Sequence, residues 1–172
     1  MVDLNDGDGN SFTVELSKYG KLVKMDVLAE VFGLYSLREE NLVIFRFEDG
    51  KEVIESLKQV AKEHQIQAGA ILSGIGMLRD FEVSFYSREK AGYVTSKFNE
   101  PVELLSLSGN ISQCNNQTFL HLHVALAKED MKAIGGHLKK AMVHNTIEGI
   151  IIKFSKIKLT RDPETRILSM SK

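Results

Sequence analysis

The chain lacks long apolar runs, an excess of positive charge and paired cysteines, and each lack excludes a class of protein. No apolar stretch approaches the roughly 20 residues that a membrane-spanning helix needs. The formal net charge is −1 over 172 residues, so the broad positive field behind non-specific nucleic-acid binding is missing. Cys114 is the one cysteine, which excludes an intrachain disulfide and gives no indication of an oxidising compartment. We therefore expect a soluble cytoplasmic protein that binds neither membranes nor DNA directly.

The N-terminal segment has a different character from the rest of the chain. Residues 1–10 lack the charged and apolar regions of a signal peptide, and their Asp, Asn and Gly content favours a flexible start. The DGDGN stretch lacks the later ligands and the terminal glutamate of a calcium loop. Residues 11–37 fit either an extra strand or a short helix. We interpret residues 1–40 as an N-terminal extension docked on a main domain.

The main domain combines one clear helix with many strands. A strand at 42–47 and a turn at Asp49-Gly50 precede apolar residues that recur at helical spacing over 51–64. His64 ends this helix, where an imidazolium interacts favourably with the helix dipole, and we assign it a structural role. Further strands are predicted at 80–86, 92–98, 102–111 and 145–154, followed by a last hairpin turning at Asp162-Pro163. The pattern predicts an α+β domain over 41–160, with 161–172 as a basic C-terminal strand or tail.

Two motifs superficially suggest chemistry that the surrounding residues do not support. The Gly-Ile-Gly at 74–76 resembles a dinucleotide fingerprint, but position 79 is Arg79 and a strand follows instead of a helix. We predict a tight turn there. Cys114 lies in the polar stretch SQCNNQ, which we interpret as a loop, and no nearby base would convert its thiol to a thiolate. A nucleophilic cysteine is not indicated.

The stretch from Thr118 to Leu138, TFLHLHVALAKEDMKAIGGHL, contains three of the five histidines. His121 and His123 are two apart, so on a strand they share one face. The opposite face would carry Leu120, Leu122, Val124 and Leu126 into a core. A Gly-Gly pair then delivers His137 by a tight turn, and three imidazoles are a known zinc ligand set. Half-buried polar histidines on an ordinary sheet face are the alternative, and His144 is interpreted as a surface residue.

A metal at such a site would have chemical consequences. Three imidazoles leave the fourth position of Zn²⁺ open for water or a substrate, so the ion can activate water or polarise a carbonyl. A nearby carboxylate would then serve as acid or base. Glu103 and Glu148 are the candidates, because both lie on strands expected to neighbour the HLH strand. The reaction, and whether there is one, is left open.

Five motifs occur in an order that is typical of one family. They lie between Asn41 and Leu159 and read RFEDGKEVIESL, SGIGML, VELLSLSGNIS, FLHLHVALA and GGHLKKAMV, the last leading to TIEGIIIKF. This arrangement resembles the PPC (plants-and-prokaryotes-conserved) domain. The resemblance implies a curved, largely antiparallel sheet similar to that of acetolactate decarboxylase, a homotrimer, and a metal held by His121, His123 and His137. One departure is EDMKAIGGH, which lacks the usual glycine in the turn before GGH.

Names given to members of this family often include the term DNA-binding. In plant members an AT-hook outside the domain contacts the minor groove, and this chain contains no Arg-Gly-Arg-Pro sequence. Two hypotheses therefore stay open. The first is a trimeric metal-binding domain, with Zn²⁺ or another divalent transition metal and a small oxygen-rich ligand. The second is a non-catalytic, DNA-associated or regulatory assembly module.

Overall fold

The computed structural model describes Val2–Asn5, Ser11–Val14 and residues 33–172. Val2–Asn5 (β1) and Ser11–Val14 (β2) pair antiparallel as a separate two-stranded sheet. The extra strand considered for the segment after residue 10 is thus present, and a strand also occupies part of the start that the composition predicts to be flexible. Of the predicted extension, Leu34–Glu39 pairs with Leu42–Glu48 of the main domain, and any docking by residues 15–32 lies outside the described residues.

A single nine-stranded sheet carries the rest of the fold. Its strands are Leu34–Glu39 (β3), Leu42–Glu48 (β4), Gly69–Ser87 (β5), Gly92–Phe98 (β6), Val102–Cys114 (β7), Gln117–Ala127 (β8), Ala133–Lys153 (β9), Lys158–Arg161 (β10) and Leu168–Ser171 (β11). All of its pairings are antiparallel except β7 with β10. The predicted α+β class and the largely antiparallel sheet are confirmed. The sheet begins at Leu34, before the predicted domain start at Asn41, and includes the C-terminal hairpin.

Four of the strands close on themselves. β5 pairs with both β7 and β9, and β8 pairs with the same two strands, which gives a ring of hydrogen-bonded strands. Alternation along each strand sends one set of side chains into the interior of this ring. The fully buried interior includes Leu78, Leu107, Leu122, Leu126, Ile147 and Ile151. The opposite face of β8 is thereby left for polar side chains.

The helix Val53–Glu63 (α1) packs against β4, β8 and β9. It begins after Glu52, whose side chain accepts a hydrogen bond from the Glu55 backbone amide, and its apolar stripe is buried. His64 caps its C-terminal end and is 4% exposed. Its Nε2 lies 2.8 Å from Ser36 Oγ. A structural role of His64 is consistent with this burial. The contact that it makes is a hydrogen bond to Ser36 on β3, in addition to its position at the helix end that the sequence predicts.

The two predicted glycine turns are wrong, because both glycine pairs lie inside long strands. Gly74 and Gly76 belong to β5, which continues through four register shifts against β9. A Cβ on Gly76, with φ at +140°, would overlap the backbone of Thr146. Gly135 and Gly136 belong to β9, and a Cβ on Gly135 would overlap the Val124 carbonyl oxygen on β8. Glycine serves here for close approach of strands.

The loop predicted for SQCNNQ is also wrong in extent. β7 continues to Cys114, β8 begins at Gln117, and only Asn115 and Asn116 turn. Their φ angles of 50° and 60° match the two-residue hairpin turn in which both central residues are left-handed. The predicted hairpins β5–β6 and β10–β11 are confirmed. Within the described residues, no helix is long and apolar enough to cross a membrane.

Candidate metal centre

The alternation predicted for the HLH strand is confirmed on β8. Leu122, Val124 and Leu126 are buried in the core, and Leu120 packs against it. His121 and His123 lie on the outer face. His123 is directly opposite His137 in the pairing of β8 with β9. The third histidine therefore reaches the site through strand register, and the Gly-Gly pair before it lets the two strands approach closely.

The three histidines converge. Each offers a ring nitrogen, and these atoms all lie within 4.8 Å of one another. The distance between His121 Nε2 and His123 Nε2 is 3.2 Å. Two nitrogens at ordinary bond lengths on a tetrahedral Zn²⁺ would be separated by about 3.3 Å. Nδ1 of His137 is buried and has no hydrogen-bond partner among the described residues. The spacing of the ligand set thus fits a divalent transition metal.

The electrostatic environment keeps two of the rings neutral. Burial lowers the pKa of His121, and the charge of Arg161 lowers it further. Burial lowers the pKa of His137 to about 4, with Lys139 as the next contribution. A neutral imidazole has the free lone pair that a metal requires, whereas an imidazolium has none. Near neutral pH neither ring therefore has to lose a proton to the solvent before it can bind a metal.

Arg161 is the main site residue that the sequence analysis missed. Its Nη2 donates to His121 Nδ1 at 3.0 Å and to Asn110 Oδ1 at 3.0 Å. It is 40 residues from His121 in sequence. Its strand, β10, reaches the site through the pairing of Thr160 with Gln113 on β7. The basic composition of the last segment was visible, but an isolated arginine in a short strand carries no sequence signal for this contact.

A cavity of about 380 Å³ adjoins the histidines. Its lining includes His121 and His137 together with three cationic side chains and one carboxylate, namely Lys139, Arg161, Arg166 and Glu164. The Tyr93 ring, which also lines it, lies 5.6 Å from the His137 ring, measured between centroids. The cavity therefore places a positively charged wall next to the candidate metal ligands.

Other predicted residues lie elsewhere in the chain. Glu103 pairs with Ala127, at the far end of β8 from the histidines, and lines a different groove. Glu148 pairs with Arg46 on β4 and Ile75 on β5. The structure thus brings neither glutamate to the histidine cluster within one chain.

Cys114 and His144 also lie outside the cluster. Cys114 is buried and accepts a hydrogen bond from Arg166 Nη1 at 3.0 Å. His144 is partly exposed, with its Nδ1 3.7 Å from Asp49 Oδ1. These surroundings are consistent with the interpretation of Cys114 as a residue without a nucleophilic role and of His144 as a surface residue.

Solved structures similar to this chain include proteins from archaea and bacteria. A metal-containing protein from Archaeoglobus fulgidus is 31% identical, with a TM-score of 0.68 over 78% of this chain and 96% of that one. A plant- and prokaryote-conserved (PPC) protein from Pyrococcus horikoshii is 27% identical, with a TM-score of 0.67 over 81% and 94%. A protein from Bacteroides thetaiotaomicron, provisionally named a DNA-binding protein, is 28% identical, with a TM-score of 0.72 over 81% and 97%.

Sequence comparison identifies the domain itself. The chain is 28% identical over 116 residues to the bifunctional protein GlmU of Synechococcus sp. (strain JA-3-3Ab). It spans only 17% of the length of that curated relative and of a second one from the same genus. The model of the Plants and Prokaryotes Conserved (PCC) domain, called PPC above, matches residues 36–155. Because this match covers more than half of the chain and agrees with the structural relatives, the chain belongs to the PCC domain family.

Proposed function

We propose that this protein binds a divalent transition metal, with Zn²⁺ as the first candidate, through His121, His123 and His137. The observation that carries the proposal is the convergence of three ring nitrogens within 4.8 Å. The metal-containing relative from Archaeoglobus fulgidus, at 31% identity, supports it. A metal on three imidazoles supplies Lewis acidity and an open coordination position. We propose that a small oxygen-rich ligand occupies that position.

The residues of the chain itself define what surrounds the metal ligands. Arg161 Nη2 donates hydrogen bonds to Asn110 Oδ1 and His121 Nδ1, which keeps Arg161 beside His121. Lys139 on β9 adds a second positive charge to the lining of the cavity. Among the described residues that line the cavity, Glu164 is the one carboxylate. Glu103 and Glu148 are too far along their strands to act there within one chain. We therefore assign binding to this site and no acid–base step.

Assembly as a homotrimer is part of the proposal and is supported by an exposed apolar surface. On the face of the sheet opposite α1, Leu37 pairs with Ile44, and Ile44 pairs with Ile150. These side chains are 49%, 58% and 37% exposed. Leu72, Ile75 and Leu105 are exposed on neighbouring strands. Exposed apolar side chains on neighbouring strands are what subunit association covers.

The test is metal analysis of the full chain purified without a histidine tag. We expect one metal ion per chain after loading with Zn²⁺ and removal of the excess by gel filtration. His121→Ala and His137→Ala should each lose it, because a two-histidine remnant binds Zn²⁺ far more weakly. His144→Ala is the matched control, since it removes an imidazole outside the cluster, and should bind one ion. A wild-type protein that retains no metal would refute the proposal.

The competing proposal, a DNA-associated module, is favoured by the provisional name of the Bacteroides relative. The net charge of −1 argues against direct contact with the phosphate backbone. Titration of a labelled duplex at rising salt separates the two. Binding that weakens steeply with salt would support the DNA proposal, and its absence at low salt would exclude the chain as a direct DNA binder.

A further inference from the structure

Arg161 carries a charge that no carboxylate among the described residues balances. The residue is 9% exposed. Its hydrogen bonds end on uncharged acceptors, namely His121 Nδ1, Asn110 Oδ1, Ser112 Oγ and the Arg166 carbonyl oxygen. In the described part of the chain, no carboxylate lies within ion-pair distance of its guanidinium. A nearly buried charge without a counter-ion is costly. An anion in the adjoining cavity would lower that cost.

The cavity beside Arg161 has the size and charge for a small anion. Its volume of about 380 Å³ lies in the range of small-molecule sites. Lys139 and Arg166 add two positive charges to its lining, and Glu164 adds one negative charge. Lys139 follows His137 by two residues on β9, so both side chains share the face that borders the cavity. A ligand there would contact the positive wall and the metal ligands together.

The hydrogen bond from Arg161 to His121 is incompatible with a metal on His121. A guanidinium only donates, so Nδ1 of a neutral His121 must accept and its proton must be on Nε2. A metal bound at Nε2 would force the proton onto Nδ1, where it would oppose the Arg161 N–H. A metal bound at Nδ1 would consume the lone pair that accepts. Whichever nitrogen binds the metal, Arg161 loses this acceptor.

We infer that Arg161 binds the oxyanion group, carboxylate or phosphate, of the small ligand that joins the metal. The inference rests on the metal site proposed above. In the metal-free protein, Arg161 Nη2 donates a hydrogen bond to His121 Nδ1. Metal binding to His121 breaks this hydrogen bond, and the freed N–H can then donate to a ligand in the cavity. Oxyanion and metal therefore bind cooperatively, and by linkage each raises the affinity of the site for the other by the same factor.

The experiment measures Co²⁺ affinity by visible absorbance, in a buffer free of phosphate and carboxylates and again with saturating probe anion. Inorganic phosphate and acetate are the two probes, and comparing them distinguishes a phosphate-bearing ligand from a carboxylic acid. For the wild type we expect about tenfold tighter Co²⁺ binding with the matching anion. For Arg161→Gln we expect less than about twofold.

A second readout separates anion binding from a merely structural role. Without added anion, Arg161→Gln should bind Co²⁺ at least as tightly as the wild type, because it removes a positive charge and a competing hydrogen bond. A structural role would weaken Co²⁺ binding instead. Arg38→Gln, an exposed arginine that bonds to the carbonyl of Glu40, is the charge-matched control and should behave as the wild type. Equal anion coupling in Arg161→Gln and the wild type would overturn the inference.

Two outcomes are resolved by additional measurements. If circular dichroism shows that Arg161→Gln is unfolded, Arg161→Lys replaces it. That variant keeps the charge but not the bidentate guanidinium, so it should show weaker coupling than the wild type, and a folded Arg161→Lys with undiminished coupling would overturn the inference. A wild type that shows no Co²⁺ absorption band before anion is added would refute the metal proposal itself, and this result is visible independently of the coupling.

Discussion

His137 is the residue whose protonation should have the largest effect on the metal-free protein. Its pKa lies at about 4, lowered from 6.5 mainly by burial. Between these values the unfolded chain binds more protons at this position than the folded chain. The free energy of unfolding therefore decreases as the pH falls from about 6.5 towards 4. Above this pH range His137 is neutral in both states, so it does not make the free energy of unfolding depend on pH.

The check is urea unfolding of the metal-free wild type and His137→Gln at pH 7.5, 6.0 and 5.0. We expect the midpoint of the wild type to fall more steeply with decreasing pH than that of the variant, because glutamine does not titrate. His144→Gln serves as the control outside the cluster and should follow the wild-type slope. If the urea midpoints of the wild type and His137→Gln changed equally with pH, the lowered pKa of His137 would be contradicted.

At the residue scale, the sequence predicts side chains whose positions depend on local periodicity. His121 and His123 share a face because residues two apart on a strand always do. His137 could be selected as the third ligand from residue type and from the family resemblance, although its route to the site was misjudged. Arg161 could not be predicted as a site residue. It lies near His121 because β10 pairs with β7, and local spacing in the sequence does not determine this pairing.

At the scale of elements, Gly109 controls the distance between β7 and the histidine strand. It pairs with Leu122, between His121 and His123, and a Cβ there would overlap the His121 carbonyl oxygen. We expect Gly109→Ala to destabilise the protein by about 1–3 kcal/mol, the usual cost of forcing extra atoms into a packed site. The displaced β8 backbone should also weaken metal binding.

Gly92→Ala is the matched control in the same sheet. A Cβ on Gly92 would have one neighbour, the Lys90 carbonyl oxygen, at an ordinary 3.7 Å. Its effect on the free energy of unfolding should stay within about 0.5 kcal/mol. Denaturant unfolding and Co²⁺ titration of both variants provide the comparison. Equal stability of the two would show that β7 and β8 can separate at Gly109 without cost.

The same glycines explain where the predictions for elements failed. Glycine is enriched both in turns and where two backbones approach closely, and a single sequence does not distinguish these uses. At Gly74 and Gly135 the determining fact is the position of Leu107 and Val124 on neighbouring strands. The helix and the hairpins were predictable because apolar periodicity and turn residues are local features.

At the scale of the whole molecule, the exposed apolar face predicts association. Ile44→Glu places a charge in the row formed with Leu37 and Ile150, where a covered interface could not solvate it. We expect light scattering after size exclusion to give three times the chain mass for the wild type and the monomer mass for this variant. Met170→Glu, on the 74% exposed Met170 of β11, is the control and should remain trimeric. A wild-type monomer would refute the trimer.

The parallel strand pairing between β7 and β10 has one register pair, Thr160 with Gln113, and side-chain hydrogen bonds from Arg161 to Ser112 and Asn110 add to it. The three histidines, in contrast, lie on strands that belong to the closed ring. In the proposed site, the metal ligands come from two strands of the ring, whereas Arg161 comes from a hairpin at the edge of the sheet. Evolution, or a designer, can exchange the short C-terminal hairpin to alter the preferred oxyanion while the metal ligands remain unchanged.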